Sequence, residues 1–310
     1  MGDSREQRHQ GHKPLKQSMK PITAFINQVI PGDCLEVMAE MPDQCIDLIL
    51  CDLPYGITHN SWDNVISLEK LWQHYRRLIK PDGVIILTGQ GIFTAKLILS
   101  NTPWFRYKIV WIKSKATNFL NAKKQPLRKH EDLCVFAPGA GIYNPQMIPG
   151  KPYERPLRIC LSENYNGFAP HHAKNPSGLR YPTDVIFYAE SSPDDFVYIK
   201  TAETEGQVFH ATQKPVALGR YLIRTYSKPG ALVLDNACGA GSFLVAAELE
   251  ARRYIGIEKN QHRPRLTKKP IDLIAICKNR LSDTSNSLIL NQTIKNHENN
   301  NFNPETGTSA

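Results

Sequence analysis

Apolar residues fall along this chain in two alternating textures. The first is the short, nearly continuous run. Residues 46–51, 84–87, 107–112, 231–234 and 254–258 read as buried strands, and a further strand resumes at 131–136. The second texture is helical. Leu68, Leu71, Trp72, Tyr75 and Leu78 recur on one helix face, and residues 35–42, 93–99, 216–226 and 242–252 are predicted helices. Pro81-Asp82-Gly83 and Pro229-Gly230 turn the chain into the strands that follow them. Strand, helix, strand is the parallel crossover unit. The pattern therefore predicts an α/β fold: a doubly wound, mostly parallel sheet with helices on both faces.

The alternation fails in three places. Residues 1–20 are polar, basic and poor in apolar side chains, which predicts a disordered tail. Residues 137–208 are rich in Pro and Gly, with recurring tyrosines (Tyr143, Tyr153, Tyr165, Tyr181, Tyr188) and scattered Arg155, Arg158, Lys174 and Arg180. An irregular stretch that long inside a compact domain is functional or disordered. After Glu258, Pro264 interrupts any helix. Residues 271–281 regain a helical pattern, and the Asn- and Ser-rich residues 282–310 are expected to be disordered.

Length and charge sharpen this. The 310 residues suffice for one large α/β domain with an insertion. A net charge of +9 and a pI near 9.1 favour a polyanionic partner. The excess concentrates in Lys113, Lys115, Lys123, Lys124, Arg128, Lys129 and His130, with Phe119 among them. Cations mixed with polar and aromatic residues suit a nucleic-acid groove; a solvated loop is the plainer alternative. Seven cysteines, an odd number without a Cys-x-x-Cys pair, indicate reduced thiols in a cytoplasmic setting. No apolar run approaches the roughly 18 residues of a membrane span, and the first twenty residues lack the apolar segment of a signal peptide. His171-His172 stands without further metal ligands, so no metal is expected.

Two strand ends carry the candidate chemistry. The run 46–51 stops at Asp52-Leu53-Pro54-Tyr55-Gly56. Pro54 fixes its own φ and biases Leu53 to an extended conformation, so Asp52 and Tyr55 are held where open α/β sheets place ligands. Alone, the tetrapeptide reads equally as an acidic cap and a turn. Far downstream, the strand 231–234 runs into Asp235-Asn236-Ala237-Cys238-Gly239-Ala240-Gly241-Ser242 and then a helix. Gly239 and Gly241 let the backbone approach a ligand closely. The next strand ends at Glu258, about twenty residues on, the spacing at which a carboxylate takes ribose hydroxyls.

Together these stretches resemble the amino-group DNA methyltransferases, enzymes that use S-adenosylmethionine and carry the catalytic motif Asp/Asn/Ser-Pro-Pro-Tyr/Phe. Catalytic motif first and cofactor motif second resembles the beta class. His210-Ala211-Thr212-Gln213-Lys214-Pro215 adds to a resemblance that covers roughly residues 29–259. It implies a Rossmann-like methyltransferase sheet with a catalytic half over 21–136, a target-recognition insertion over 137–208 and a cofactor half over 209–281. It also implies a catalytic role for Asp52, Leu53 (through its carbonyl), Pro54 and Tyr55. Asp33, Thr212, Lys214, Asp235, Asn236, Gly239, Gly241, Ser242 and Glu258 would surround the cofactor, Lys214 or backbone donors beside it meeting its carboxylate. Two residues keep a second reading: Asp33 as the N-cap of the helix after it, and Thr212 as the cap of the helix at 216. The loop 57–63 would cover the site, with Trp62 either there or in the core. Leu53 departs from the usual first Pro, and Ala237 stands where many members carry an aromatic residue.

Asp at the first motif position resembles the adenine-N6 branch. The expectation is methylation of a flipped-out adenine in double-stranded DNA, with Tyr55 stacked on the base and Lys113, Lys115, Lys123, Lys124 and Arg128 against the DNA. A cognate restriction endonuclease is a candidate partner, and the protein is expected as a monomer or homodimer. The rivals are cytosine-N4 methylation, a DNA-binding relative without catalysis, and a nicotinamide dehydrogenase. The last lacks support from a full Gly-x-Gly-x-x-Gly pattern.

Overall fold

A computed structural model of the protein describes residues 19–56, 63–160, 168–171, 173–186, 199–209, 212–260 and 270–300. In chain order the main elements are β1 (Gln28–Pro31), α1 (Cys34–Ala39), β2 (Ile46–Cys51), α2 (Leu68–Leu78), β3 (Ile79–Gly89), α3 (Ile92–Ser100), β4 (Phe105–Thr117) and β5 (Arg128–Phe136). The insertion contributes β6 (Tyr153–Glu154), β7 (Arg158–Cys160), β8 (Phe168–His171), β9 (Lys174–Asn175) and β10 (Val185–Ile186). The chain then forms α4 (Val216–Tyr226), β11 (Leu232–Asp235), α5 (Ser242–Leu249), β12 (Arg253–Glu258) and α6 (Leu273–Asn300).

Eight strands form one sheet in the order β1-β12-β11-β2-β3-β5-β4-β10. Its pairings are parallel except those made by β5, which runs against both β3 and β4. Alternate residues feed two cores. Ile49, Cys51, Leu87 and Leu234 pack with Met38, Leu71, Trp72 and Tyr75 on one face. Leu50, Ile86, Val233 and Tyr254 pack with Leu218, Leu222, Phe243 and Cys277 on the other. Helices thus cover both faces, which is why these strands are apolar nearly throughout.

The connection leaving β2 passes through α2 to β3; the one leaving β11 passes through α5 to β12, on the opposite side of the sheet order. The boundary between β2 and β11 is therefore the topological switch point, where doubly wound sheets bind ligands beyond the carboxyl ends of their strands. Val233 pairs with Leu48 and Leu234 with Ile49. That register sets Asp235 level with Leu50 and puts the ends of the two candidate motifs, 183 residues apart in sequence (235 minus 52), side by side.

Several boundaries differ from expectation. β3 runs through Pro81-Asp82-Gly83, with a register irregularity against β2 absorbing the turn. The basic stretch is divided between the ends of two hairpin arms, β4 and β5, and the connection 118–127 that joins them. The insertion is built of small strand pairs, β6 with β9 and β7 with β8, while β10 closes the edge of the main sheet beside β4. Residues 282–300, expected to be disordered, continue α6. Leu273, Cys277 and Leu281 anchor that helix in the core, so burial at its start supports the polar turns that follow. The tail 1–18, most of the loop carrying Trp62, and Tyr165, His172, Tyr188, His210 and Ala211 lie outside the described residues. Among the described residues no helix is long and apolar enough to cross a membrane.

Gly241 explains one contact of α6. It sits at φ +78°, and a Cβ there would run into the Cys277 sulfur. Gly241→Ala therefore combines left-handed strain with a clash in a packed interface. The expected loss is about 1–3 kcal/mol, read as a lower thermal midpoint without cofactor. An unchanged midpoint would show that α6 does not depend on this contact.

Candidate active site

A cleft of about 330 Å³ opens over the switch point. Asp235, Asn236, Gly239 and Ser242 line it from the β11–α5 turn, Glu258 from β12, Asp33 from the β1–α1 turn, and Asp52, Pro54, Thr212 and Lys214 from the other side. A second cavity of about 380 Å³ shares Asp52, Pro54, Thr212 and Lys214 with it. That cavity continues past Leu53, Tyr55 and Glu131 to Lys113, Lys115, Thr117, Asn118 and Arg128 of the hairpin. Asp52 thus stands on a partition between two chambers.

The β11–α5 turn is tightly organised. Glu258 accepts from the Gly239 N–H through one carboxylate oxygen and from the Asn260 N–H through the other, each at 2.8 Å. A carboxylate oxygen has two acceptor sites, so Glu258 retains capacity toward the cleft. Gly239 adopts φ +50° in the turn. Asn236 accepts from the Tyr75 hydroxyl at 2.6 Å, while its Nδ2 is buried without an oxygen or nitrogen acceptor, the Cys34 sulfur alone standing by it. A buried donor left open on the wall of a cleft is costly unless a ligand meets it. Asp235 accepts from the Ala237 N–H at 3.3 Å. Burial, reinforced by the nearby charges of Asp52 and Glu258, pushes its carboxyl up to about 7 against the opposing Ala237 and Cys51 contacts.

Asp33 proves to be the N-cap of α1: its side chain accepts from the Leu35 N–H at 2.9 Å, and its other oxygen lies 3.1 Å from Lys259 Nζ. Partial burial opposes ionisation, but these two contacts hold its carboxyl below the usual range. It lines the cleft as well. Thr212 does not cap α4. Glu205 does, accepting from the N–H groups of Val216 and Ala217 at 2.6 and 2.7 Å. Gly241 does not line the cleft, since its bare Cα faces Cys277 instead.

The partition itself is a buried charge cluster. Lys214 Nζ lies 2.7 Å from Asp52 Oδ2 and 3.1 Å from Glu131, whose other oxygen is 3.0 Å from Lys113 Nζ. Thr88 donates to Asp52 Oδ1, and the Tyr55 hydroxyl sits 2.9 Å from that oxygen and 2.7 Å from Thr88 Oγ1. Burial disfavours the charge on Lys214, yet Asp52 and Glu131 outweigh it and raise its pKa. Burial likewise works against the Glu131 carboxylate, and Lys214 and Lys113 overcome it and lower its pKa. The cluster pairs two carboxylates with two ammonium groups, which is how buried charges are tolerated.

Three sequence expectations change here. Lys113 is not a surface cation: it is only 7% exposed and is committed to Glu131. Lys214 borders the cofactor cleft but its ammonium is turned onto Asp52 and Glu131. The Tyr55 ring is anchored, packed on Phe93 at 5.0 Å between centroids with its hydroxyl inward, so it braces Asp52 as well as lining the second cavity. Glu131 and Thr88 went unassigned in the sequence. The one signal for Glu131 was a pair of acids opening an otherwise apolar strand; Thr88, at the end of β3, gave none. Lys115 and Arg128 line the second cavity, and Lys123 and Lys124 lie in the exposed connection between β4 and β5.

A strand-end carboxylate shared by two cavities beyond the switch point is placed to act between two bound groups. A family model described as DNA methylase, spanning N6-adenine and N4-cytosine enzymes, matches residues 46–269, and the chain belongs to that family: it is a DNA methyltransferase dependent on S-adenosylmethionine. It is 25% identical over 272 residues to the Type II methyltransferase M.HinfI of Haemophilus influenzae, covering 77% of this chain and 67% of that protein. Its fold is similar to the crystal structure of an M1.HpyAVI–SAM complex, with 16% identity and a TM-score of 0.53 over 82% of this chain and 98% of that one. It is also similar to the PvuII DNA methyltransferase (cytosine-N4-specific), with 16% identity and a TM-score of 0.50 over 89% and 95% of the two chains. The open Asn236 donor, the free acceptor capacity of Glu258 and the left-handed Gly239 turn fit a nucleoside cofactor in the first cleft.

The raised Asp235 carboxyl has a consequence for stability. The folded state keeps its proton until about pH 7, whereas the unfolded chain releases it near the ordinary aspartate value of about 4. Stability from this group is therefore complete below pH 4 and declines as pH rises toward 7, by roughly 4 kcal/mol in all. Asp235→Asn, which keeps an acceptor for Ala237, is expected to gain on the parent in thermal midpoint between pH 5 and pH 8. A parent–variant difference that stays constant over that range would place the carboxyl at its ordinary value.

Proposed function

We propose that this methyltransferase acts on the N6 amine of adenine in a base extruded from duplex DNA, with Asp52 as the central catalytic residue. The observation that carries the reading is the place of Asp52 on the partition shared by the two cavities. Asp at the head of Asp52-Leu53-Pro54-Tyr55 supports adenine over cytosine.

The amine lone pair is delocalised into the ring, so the nitrogen is a weak nucleophile until it pyramidalises. Asp52 Oδ1 is occupied by Thr88 and Tyr55, while Oδ2 carries Lys214 and keeps one acceptor site. That site and the Leu53 carbonyl are the two acceptors for the amine hydrogens, stabilising the charge that develops on nitrogen. S-adenosylmethionine, when bound, supplies an electrophilic methyl group on a sulfonium sulfur. Lys214 fixes the Asp52 rotamer, so the acceptor is aimed before DNA arrives, and positioning supplies much of the rate. Asp52 need not act as a base in the transfer, because the methylated ammonium product sheds its proton afterwards. Tyr55, through the part of its ring open to the second cavity, stacks on the target base. In the first cleft Glu258 takes the ribose hydroxyls, Asn236, Ser242 and the Gly239 turn hold the nucleoside, and Asp33 faces the adenine amine. The Type II relative supports a restriction–modification setting with a cognate endonuclease as partner.

Asp52→Ala removes one acceptor and leaves Lys214 paired with Glu131, so folding and cofactor binding are expected to persist. Methyl transfer to unmethylated genomic DNA should fall by about 10²–10³-fold or more, with cofactor affinity changed by less than about threefold. Nucleoside analysis of the product by mass spectrometry should find N6-methyladenine. N4-methylcytosine would reverse the base assignment, and near-parental turnover in the variant would remove Asp52 from the chemistry.

A further inference from the structure

We infer that Phe119 and Leu120 form an apolar wedge that enters the base stack of duplex DNA beside the target and holds open the gap an extruded base leaves. The wedge rests on the chain acting on DNA and not on which base it methylates.

The two side chains are 75% and 85% exposed, Leu120 being the most exposed of the large apolar residues described. They open the short 3-10 turn Phe119–Asn121 at the tip of the β4–β5 hairpin. Asn118, immediately before them, lines the cavity that leads to Asp52. Lys113, six residues back on β4, belongs to the Asp52–Glu131 charge cluster, so the tip lies within about 20 Å of the chemistry along the strand.

The charge around the tip selects the partner. Residues 113–130 contain six Lys or Arg and no Asp or Glu. Lys113 is buried in its pair, leaving Lys115, Lys123, Lys124, Arg128 and Lys129 on the arms and connection that carry the two apolar side chains. A duplex has an anionic periphery and an apolar stack within, the complement of an apolar point on a cationic segment.

The tip is also held in place. Asn118 adopts φ +71° at the entry to the turn, and the Asn121 amide donates to its side chain at 2.7 Å. At the base of the arms Gln90 donates to the His130 carbonyl at 2.9 Å and accepts from Arg128 at 3.3 Å. A held apolar point pays less ordering entropy on insertion than a floppy one.

The test uses the full-length protein and an unmethylated amplicon of several kilobases, with transfer read as total radiolabelled methyl incorporated, so that adenine and cytosine products count alike. Phe119→Ala with Leu120→Ala is expected to lose at least about tenfold in transfer rate. Affinity for S-adenosylmethionine and the salt dependence of DNA binding should match the parent, because cleft and cations are intact. Phe119→Leu with Leu120→Met, which keeps apolar volume, should retain at least about half the parental rate. Transfer by the double alanine variant within about twofold of the parent would overturn the wedge. So would an equal loss in the Leu/Met variant, or a loss matched by weaker cofactor binding.

Discussion

The structure depends on the parallel pairing of β2 with β11. Each strand ends in a carboxylate-bearing turn. Only because the two lie side by side does Asp52 face the same space as Asp235, Gly239 and Glu258. The pairing is held by apolar side chains on both faces rather than by anything at the site, so the sheet positions the chemistry while the loops beyond it carry the chemistry. The order of motifs along the chain then matters little. What counts is that the two connections leave the shared boundary in opposite directions and open a crevice above it.

Above that boundary the protein bears the electrostatic cost of a dry site in advance. Asp52 and Glu131 would repel each other if buried alone; Lys214 between them and Lys113 behind Glu131 remove the problem. The same arrangement fixes which acceptor sites of Asp52 remain open. Thr88 and Tyr55 close one oxygen, and Lys214 takes part of the other. A carboxylate on a mobile loop in water would reorganise as charge developed on a substrate. This one cannot, and that rigidity is the physical content of preorganisation.

The elements that were legible in the sequence are those whose pattern is local. α2 and α4 occupy the residues that their apolar spacing marks, and the central strands are continuous apolar runs because both faces are covered. The carboxylate ends of β2, β11 and β12 were legible too, since a strand stopping at Asp or Glu beside Gly or Pro is a short-range signal. What escaped is what partners across the sheet decide. Lys113 sits in a basic run yet is buried, because Glu131 opposes it from the neighbouring strand. Gly241 reads as part of a ligand loop yet makes room for Cys277 of α6. Residues after Ser282 look too polar to order, yet continue a helix whose first turns are anchored in the core.

The β4–β5 hairpin has one more consequence. Its arms are strands of the main sheet, with a register irregularity in their pairing between Ile112 and Thr117. Glu131 on β5 is paired with Lys113 on β4 and with Lys214, which is paired with Asp52. The carboxylate that ties the two arms together is thus also the one that holds Lys214 on Asp52, so hairpin and strand end share one set of charges.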